Sequence, residues 1–313
     1  MQYALKKTGV LIATLLLVSM LAFLAFQIIP GDPTTMLLGT EYTPERAEVL
    51  RRQLGLDRNV FVRYFEWVGG VLRGDLGRSY SYDMPVGDVL RGKIAVTAAL
   101  SLLSWVIVTA VSVPLGIALA RYQNKLFGRI GVSLNQVFMA IPSFFLGILF
   151  TLLFGLILRW FIPGRFVPFS LGFRSAMGYL VCPALAISIP KIAKVTKLLR
   201  SAILGEMQRD YVLTAYSHGN SRWMVIRDHV LRNALLPVVT YLAMSLADIV
   251  ASSIIVEQVF VIPGLGRLLI SSISTRDYPV ALCIVVLIAS VVVVMNYLAD
   301  LLTQMIDPRV RLS

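Results

Sequence analysis

The sequence predicts an all-α polytopic membrane protein with six transmembrane helices whose N and C termini are cytosolic. Of its 313 residues, 57% are apolar and only 15% are charged, and the mean hydropathy is +0.78. Long apolar stretches recur along the chain, and five of them approach or exceed the roughly 20 residues that cross a bilayer. The only cysteines, Cys182 and Cys283, lie inside apolar runs, which excludes a disulfide framework and a cysteine-rich metal site.

Residues 1–29 are predicted to form the first transmembrane helix. Their apolar run of 21 residues from Gly9 follows Lys6 and Lys7, and it exceeds the roughly 7 to 15 residues of a signal-peptide core. No small-x-small cleavage site precedes Pro30. We therefore expect a retained helix and not a cleaved secretory signal.

Residues 30–93 are predicted to form an external segment with short helices that caps the outer mouth. This segment carries nine basic and nine acidic residues, which makes it too polar to be embedded. Thr43 followed by Pro44 predicts a helix N-cap and first turn, and Gly55 predicts the end of that helix. A second short helix is expected at 59–72.

Residues 94–305 carry the other five predicted spans. These lie at about 94–120, 130–158, 176–199, 236–256 and 280–302. The third of these runs contains Pro183 and Pro190. Three lysines mark its cytosolic end: Lys191, Lys194 and Lys197. A cytosolic loop at 200–235 and a cytosolic tail at 306–313 complete the predicted topology.

The distribution of charge predicts the orientation in the membrane. Lys and Arg accumulate in cytoplasmic loops, and an even number of spans puts both termini on one side. With the N-terminus inside, the cytosolic segments hold 15 basic residues against four acidic ones: 1–8, 121–129, 191–235 and 303–313. Most of the net charge of +12 therefore faces the cytosol, where anionic lipid accounts for it without nucleic acid.

Two glycine-rich stretches resemble nucleotide-binding motifs, but each lacks an essential residue. In the stretch 87–94, Ile94 stands where a P-loop needs Ser or Thr to hold magnesium. Gly264 and Gly266 begin a dinucleotide fingerprint, but Leu269 takes the place of its third glycine. The sequence therefore predicts no nucleotide site on this chain.

The sequence predicts no catalytic residue and no metal site. Catalysis inside a membrane would need a nucleophile with a base, or metal ligands, gathered on facing helices. The only histidines, His218 and His229, both fall in the predicted cytosolic loop. The stretch 219–221, Gly-Asn-Ser, interrupts the helix that would align them.

Asp248 is the candidate for the translocation path because an ionisable residue within a span is costly. An ion-coupled secondary transporter would use such a carboxylate at mid-membrane depth. A carboxylate that pairs with another helix is equally expected of other transporters, so this class of protein stays an alternative. An intramembrane enzyme is a further alternative, to be tested at Asp248 and Ser245.

The stretch 191–235 is far longer than a connection between adjacent spans requires. Its residues 211–219 form an amphipathic segment that ends at a glycine, where a short helix can stop. Apolar anchors follow at 223–226 and 229–237. We expect a pair of short helices that present apolar side chains to a groove on a partner.

The segment 210–219, Asp-Tyr-Val-Leu-Thr-Ala-Tyr-Ser-His-Gly, resembles the cytosolic coupling loop of ABC importer permeases, together with 231–240 behind it. The resemblance is to the dipeptide, oligopeptide and nickel branch. Matches run nearly the full length of the chain: Pro30–Pro33, Leu54–Asp57, Gly74–Ser79, Pro85–Val86, Glu257–Phe260, Pro263–Arg267, Arg276–Pro279 and Asp307–Arg309.

The resemblance implies a type I ABC importer permease-like fold and a set of partners. A second permease, usually a different chain, completes the pathway, and each coupling loop docks on one of two ATP-binding subunits. ATP and magnesium belong to those subunits, so no cofactor is expected on this chain. An external substrate-binding protein delivers the solute, and transport proceeds by alternating access.

The resemblance also assigns residues. Ala215 and Gly219 fall on the small residue and the glycine of the general motif Glu-Ala-Ala-x-x-x-Gly, whereas Leu213 and Thr214 replace its Glu-Ala. The candidates for coupling to the ATPase are Tyr211, Thr214, Ala215, His218, Gly219, Arg232 and Asn233. The candidates for the external face are Glu257, Arg267 and Asp277.

The expected function is that of a permease subunit of an ATP-driven importer of di- or oligopeptides. Nickel or a metal chelate is the alternative substrate within the same branch. The sequence has no external or mid-membrane cluster of His or Cys that suits a bare metal ion, which favours peptide.

Overall fold

The computed structural model describes residues 2–28 and 32–306. These residues are nearly all helical, and the only β pairing among them is an isolated bridge between Arg78 and Pro85. Five of the helices they form are long and apolar enough to cross a membrane, or six if one sharply bent pair counts as a single span. An all-α fold with five or six membrane-spanning stretches is therefore confirmed, and the cytosolic placement of both termini stays a prediction.

The chain divides into two compact units. The first unit comprises Met1–Thr97 and Pro263–Val293, and the second comprises Ala98–Ile262 and Val294–Ser313. The helices of ten or more residues are α1 (Gln2–Ile28), α3 (Pro44–Gln53), α4 (Val60–Leu72), α6 (Lys93–Arg121), α7 (Leu126–Ala140), α9 (Phe173–Glu206), α13 (Leu236–Val259), α14 (Leu265–Ser274) and α15 (Tyr278–Ile306). The shorter helices are α2 (Pro33–Leu38), α5 (Val86–Leu90), α8 (Ser143–Phe150), α10 (Asp210–Ser217), α11 (Arg222–Met224) and α12 (Leu231–Ala234).

In the first unit, α4 packs on α1, and α2 packs on α3. The Thr43 side chain accepts a hydrogen bond from the Arg46 N–H and begins α3, and Gly55 follows its end with a φ of +65°, as predicted. α4 packs on α1 through aromatic contacts, with the Tyr64 ring 5.5 Å from the Phe23 ring. These contacts bury the inner face of an otherwise polar segment.

In the second unit, α9 is the central helix, and α7, α8 and α13 all pack on it. It remains helical through Pro183 and Pro190 over 34 residues. Polar side chains bond across the packed faces: Asn135 donates to the Ala193 carbonyl at 2.8 Å, and Ser188 donates to the Ser104 carbonyl at 3.0 Å. Such bonds satisfy polar groups that have no water available inside a helical bundle.

The stretch predicted as a span at 130–158 consists of two helices and not of one continuous helix. α7 ends at Ala140, α8 begins at Ser143, and the two meet at an angle of 94°. The cause is Pro142, which lacks an N–H and forces the preceding Ile141 into an extended conformation with ψ of 123°. After α8 the chain continues as a π-helical turn over Thr151–Ile157.

Candidate functional site

The candidate coupling segment of the second unit is built around α10. This helix begins after Arg209 and ends at Ser217, and Gly219 follows with a φ of +81°. The Asn220 amide donates to the Ala215 carbonyl at 3.1 Å and caps one of the last free carbonyls. Gly219 therefore ends the helix and turns the chain into α11, as the sequence predicts.

The two faces of α10 differ sharply in exposure. Val212 and Ala215 are only 2% and 6% exposed, and they lie on the face that packs against the π-helical turn Val225–Val230. Leu213 is 75% exposed. Thr214, His218 and Gly219 are exposed as well. The sequence placed Ala215 among the residues that couple to a partner, whereas the structure turns its side chain inward.

Polar contacts hold α10 against the helices on either side of it. The Tyr211 hydroxyl donates to Glu206 Oε2 at the end of α9 (2.7 Å), and the Asn233 amide donates to the Tyr211 oxygen (3.5 Å). Burial, and then the hydrogen bond to Glu206, raise the pKa of Tyr211 above its ordinary value, so the hydroxyl stays a donor at neutral pH. Arg232 is exposed.

The second helical stretch of the segment, which includes α11 and α12, supplies the base on which α10 rests. Val225, Ile226 and Val230 are buried beneath α10. The Trp223 ring receives the guanidinium of Arg121, at the end of α6, 4.7 Å from its centroid. In the coupling segment, the stretch 222–234 packs under the inner side of α10, and the outer side of α10 is exposed.

A second candidate site is a cavity of about 260 Å³ at the break between α7 and α8. Its lining comes from the break itself and from α9 and α13: Met139, Ala140, Ile141, Pro142, Ser143, Pro190, Lys191, Lys194 and Asp248. Asp248 lies midway along α13 and forms an ion pair with Lys191 of α9. The predicted translocation-path residue therefore lies at a cavity and is paired with another helix.

The Lys191 side chain is buried, although the sequence groups this residue with the lysines at the cytosolic end of the span. Its side chain is only 11% exposed, and it reaches from inside α9 to the carboxylate of Asp248. The prediction counted this lysine with the cytosolic charges because it begins the basic run, and no local pattern reveals a partner 57 residues away. The one local indication of a buried lysine is that Lys191 directly follows Pro190 in an otherwise apolar stretch.

Of the three candidates for the external face, one is exposed to solvent and two are buried. Arg267 is exposed, but Glu257 and Asp277 are fully buried in the second and first unit respectively, so neither carboxylate lies at a face. Asp277 accepts hydrogen bonds from the Ser79 hydroxyl and from the N–H groups of Tyr80 and Ser81. Asp277 holds this loop to the turn between α14 and α15 and has an internal structural role.

The structure also bears on metal binding. Among the described residues, no group of three His, Cys, Asp or Glu side chains is placed to hold a metal ion. His218 and His229 belong to separate helical stretches on either side of the turn at Gly219, so one continuous helix does not align them.

Long apolar helices, a broken span and a helix, α10, with one exposed side define a multi-pass membrane protein. The chain belongs to the family of binding-protein-dependent transport system inner membrane components, whose family model matches residues 112–312. The model of the N-terminal part of these membrane components matches residues 1–101. The chain is therefore a permease subunit of an ABC importer and a multi-pass protein of the inner membrane.

Relatives match over almost the whole chain. A protein of Brucella abortus (strain 2308) named as a peptide transport system permease is 34% identical over 310 residues, which cover 98% of each chain. The glutathione transport system permease of Salmonella typhi is 33% identical over 311 residues, which cover 99% of each chain.

A solved structure supports the fold. The MetNI methionine ABC transporter in an inward-facing conformation matches with a TM-score of 0.56 at 17% identity. The match covers 70% of this chain and 96% of that chain. At this identity the likeness concerns the helical architecture alone.

Proposed function

We propose that this chain is the subunit through which an ATP-driven importer moves di- or oligopeptides across the cytoplasmic membrane. The observation that carries the proposal is the full-length match to permeases named for peptides and for glutathione, itself a tripeptide. A cavity among the spanning helices, lined by both signs of charge, suits a zwitterionic cargo. The chain itself performs no catalysis in this proposal.

The proposed orientation places both termini and α10 in the cytosol and residues 30–93 outside. The charge bias of the segments supports it, because basic residues outnumber acidic ones strongly only on the side that carries α10. A substrate-binding protein then docks on the outer side, where Arg267 is an exposed candidate contact. A second permease, as a different chain, completes the pathway.

α10 is the proposed contact with one of two ATP-binding subunits. An exposed leucine on a helix whose opposite face is packed is an anchor for a groove on a partner. Thr214, His218 and Gly219 flank that anchor, while Tyr211 and Asn233 fix the helix to its neighbours. Because α10 packs on the buried residues of 225–230, closure of the two ATP-binding subunits would move α10 and those residues together as one rigid body.

The alternatives have less support. The relatives described above are named for peptides and glutathione and not for nickel, and no three-residue metal site is present in the described part of the chain. An ion-coupled transporter would use Asp248 as its ion site, whereas in this structure the Asp248 carboxylate forms an ion pair with Lys191 of α9. It would also leave α10 without a role.

Co-purification with ATP-binding subunits tests this proposal. Leu213→Asp places a charge on the exposed anchor of α10 without disturbing a buried side chain. We expect at least a tenfold loss of bound ATP-binding subunit, with the fold retained. The matched control is Leu72→Asp, which changes an equally exposed leucine in α4 of the first unit and should leave binding unchanged. Equal binding by wild type and Leu213→Asp would refute the coupling role of α10.

A further inference from the structure

The cavity at the break between α7 and α8 contains an uncompensated positive charge. Lys191 and Lys194 line it together with a single carboxylate, Asp248. Lys191 takes that carboxylate as its ion-pair partner. Lys194 forms a side-chain hydrogen bond with the neutral Tyr241, and its Nζ lies 5.4 Å from the centroid of that ring. No salt bridge of Lys194 is found within the described residues. One cation therefore remains available to a ligand.

The position of this charge argues for function. Ionisable side chains within spanning helices are costly, and they face a bundle interior or an aqueous path. Lys194 is exposed at the cavity, one turn of α9 beyond the buried Lys191.

The size of the cavity limits what it can hold. Its volume of about 260 Å³ lies just below the roughly 300 to 1,000 Å³ typical of small-molecule sites. One end of a peptide fits such a space, but a whole oligopeptide does not. Every linear peptide, whatever its side chains, presents one carboxylate at its C-terminal end.

We propose that Lys194 binds the C-terminal carboxylate of the transported peptide. The cation pairs with a charge that all peptides share, so the site accepts cargo of varied sequence. The beginning of α8 faces the same cavity, and the free N–H groups of a first helical turn favour an anion there. This inference rests on the proposed function, because it specifies how a peptide importer contacts its cargo.

A transport assay with paired substrates tests the inference. The complete transporter, with its binding protein, is reconstituted in liposomes with ATP, and uptake of a tripeptide is compared with uptake of its C-terminal amide. We expect Lys194→Gln to reduce the ratio of acid to amide uptake about tenfold relative to wild type, because a charge-assisted bond is lost. Any preference of the binding protein cancels in this comparison.

Two further variants serve as controls. Lys194→Arg keeps the charge and should keep most of the preference for the acid. Lys197→Gln removes another exposed lysine of α9 that does not line this cavity, and it should leave the ratio unchanged. If Lys194→Gln leaves the ratio unchanged, or if Lys197→Gln lowers it equally, the inference is wrong.

A second measurement covers the case in which Lys194→Gln does not assemble. Ala140 is exposed and lines the cavity, so a thiol reagent should modify Ala140→Cys in a chain whose two native cysteines are replaced by serine. The free-acid peptide should slow labelling about tenfold more than the amide, and equal protection by both would overturn the inference. Wild-type transporter that hydrolyses ATP but takes up neither peptide would instead refute the proposed function.

Discussion

Asp277 in the first unit and Asp248 in the second unit differ in burial and in the kind of group that each carboxylate binds. Asp277 is fully buried, and its carboxylate accepts hydrogen bonds from a hydroxyl and two backbone N–H groups. Asp248 is 60% exposed at a cavity, and its partner is the side chain of a lysine. Fixed donors hold the first aspartate in one place, whereas the second has a flexible partner and open space beside it.

The difference separates residues that maintain the structure from residues that can meet a ligand. A carboxylate whose partners are backbone groups cannot leave them without unfolding the loop that supplies them. A carboxylate beside a cavity can exchange its partner, because another cation can enter.

Replacing Asp277 should have the largest effect on stability. Asp277→Ala leaves the Tyr80 and Ser81 N–H groups and the Ser79 hydroxyl without acceptors, at a cost of at least about 3 kcal/mol. The thermal unfolding midpoint of the detergent-purified transporter measures this cost. Asp83→Asn is the control, since Asp83 is exposed, its surface ion pair with Arg78 contributes only about 0 to 1 kcal/mol, and asparagine tolerates the φ of +49° at this position. Equal effects of the two changes would contradict the distinction.

The pair of Asp248 and Lys191 should respond asymmetrically. Asp248→Asn leaves a lysine that is 11% exposed without its counter-charge, whereas Lys191→Gln leaves an exposed carboxylate that water can solvate. We expect peptide uptake to fall at least about tenfold in the first variant and less in the second, with subunit assembly retained in both. Uptake and assembly yield are measured on the same preparations. A larger loss with Lys191→Gln would mean that the buried cation is not the costly partner.

The same distinction applies to the two faces of α10. Ala215→Leu adds volume to a buried contact and should destabilise the chain by about 1 to 3 kcal/mol. Leu213→Ala should change stability by less than about 0.5 kcal/mol but weaken binding of the ATP-binding subunit. Unfolding midpoints and co-purification separate the two effects. If Leu213→Ala destabilises the chain as much as Ala215→Leu, then the Leu213 side of α10 is not exposed to solvent as the structure indicates.

The turn after α10 should give a smaller effect. Gly219→Ala meets no atom within 4 Å, so its cost of about 1 kcal/mol comes from the φ of +81° alone. Hydrogen exchange at residues 210–217 should be faster in this variant. Gly178→Ala also meets no atom within 4 Å, but it lies inside α9 and should be neutral or slightly stabilising. Unchanged exchange after Gly219→Ala would indicate that the turn does not hold α10.

Tyr211→Phe should give the smallest effect. It removes an exposed hydrogen bond to Glu206, which contributes about 0.5 kcal/mol. Because the pKa of Tyr211 is raised above the ordinary tyrosine value of 10.0, the hydroxyl is protonated below pH 10 and its contribution is lost only at higher pH. The difference in stability between the variant and wild type should therefore be constant from pH 6 to pH 9. A variation with pH in that window would assign the titration to another group.

The spans, the capped helix at Thr43 and the amphipathic α10 follow from local patterns, and the sequence predicts them. Hydropathy finds an apolar run, and an N-cap or a terminating glycine acts within one turn of the helix. The break at Pro142 had a local signal in the proline, but apolar composition on both sides concealed it. These features need no knowledge of distant residues.

The features that the sequence did not predict depend on partners far apart in the chain. Asp277 is buried because residues 79–81, nearly 200 positions earlier, supply its donors. Lys191 is buried because Asp248 lies beside it on another helix. A local sequence pattern does not reveal which distant side chains come into contact. The burial of Glu257, Asp277 and Lys191 therefore follows only from the three-dimensional structure.

ATP-dependent peptide uptake is the most direct test of the central claim that this chain carries peptides for an ATP-driven importer. The transporter is assembled with its ATP-binding subunits, second permease and binding protein, and uptake of a labelled tripeptide into liposomes is followed with and without ATP. We expect uptake to require ATP and to persist when ion gradients are collapsed. Uptake that needs no ATP and stops when the gradients are collapsed would contradict the claim and would identify an ion-coupled transporter.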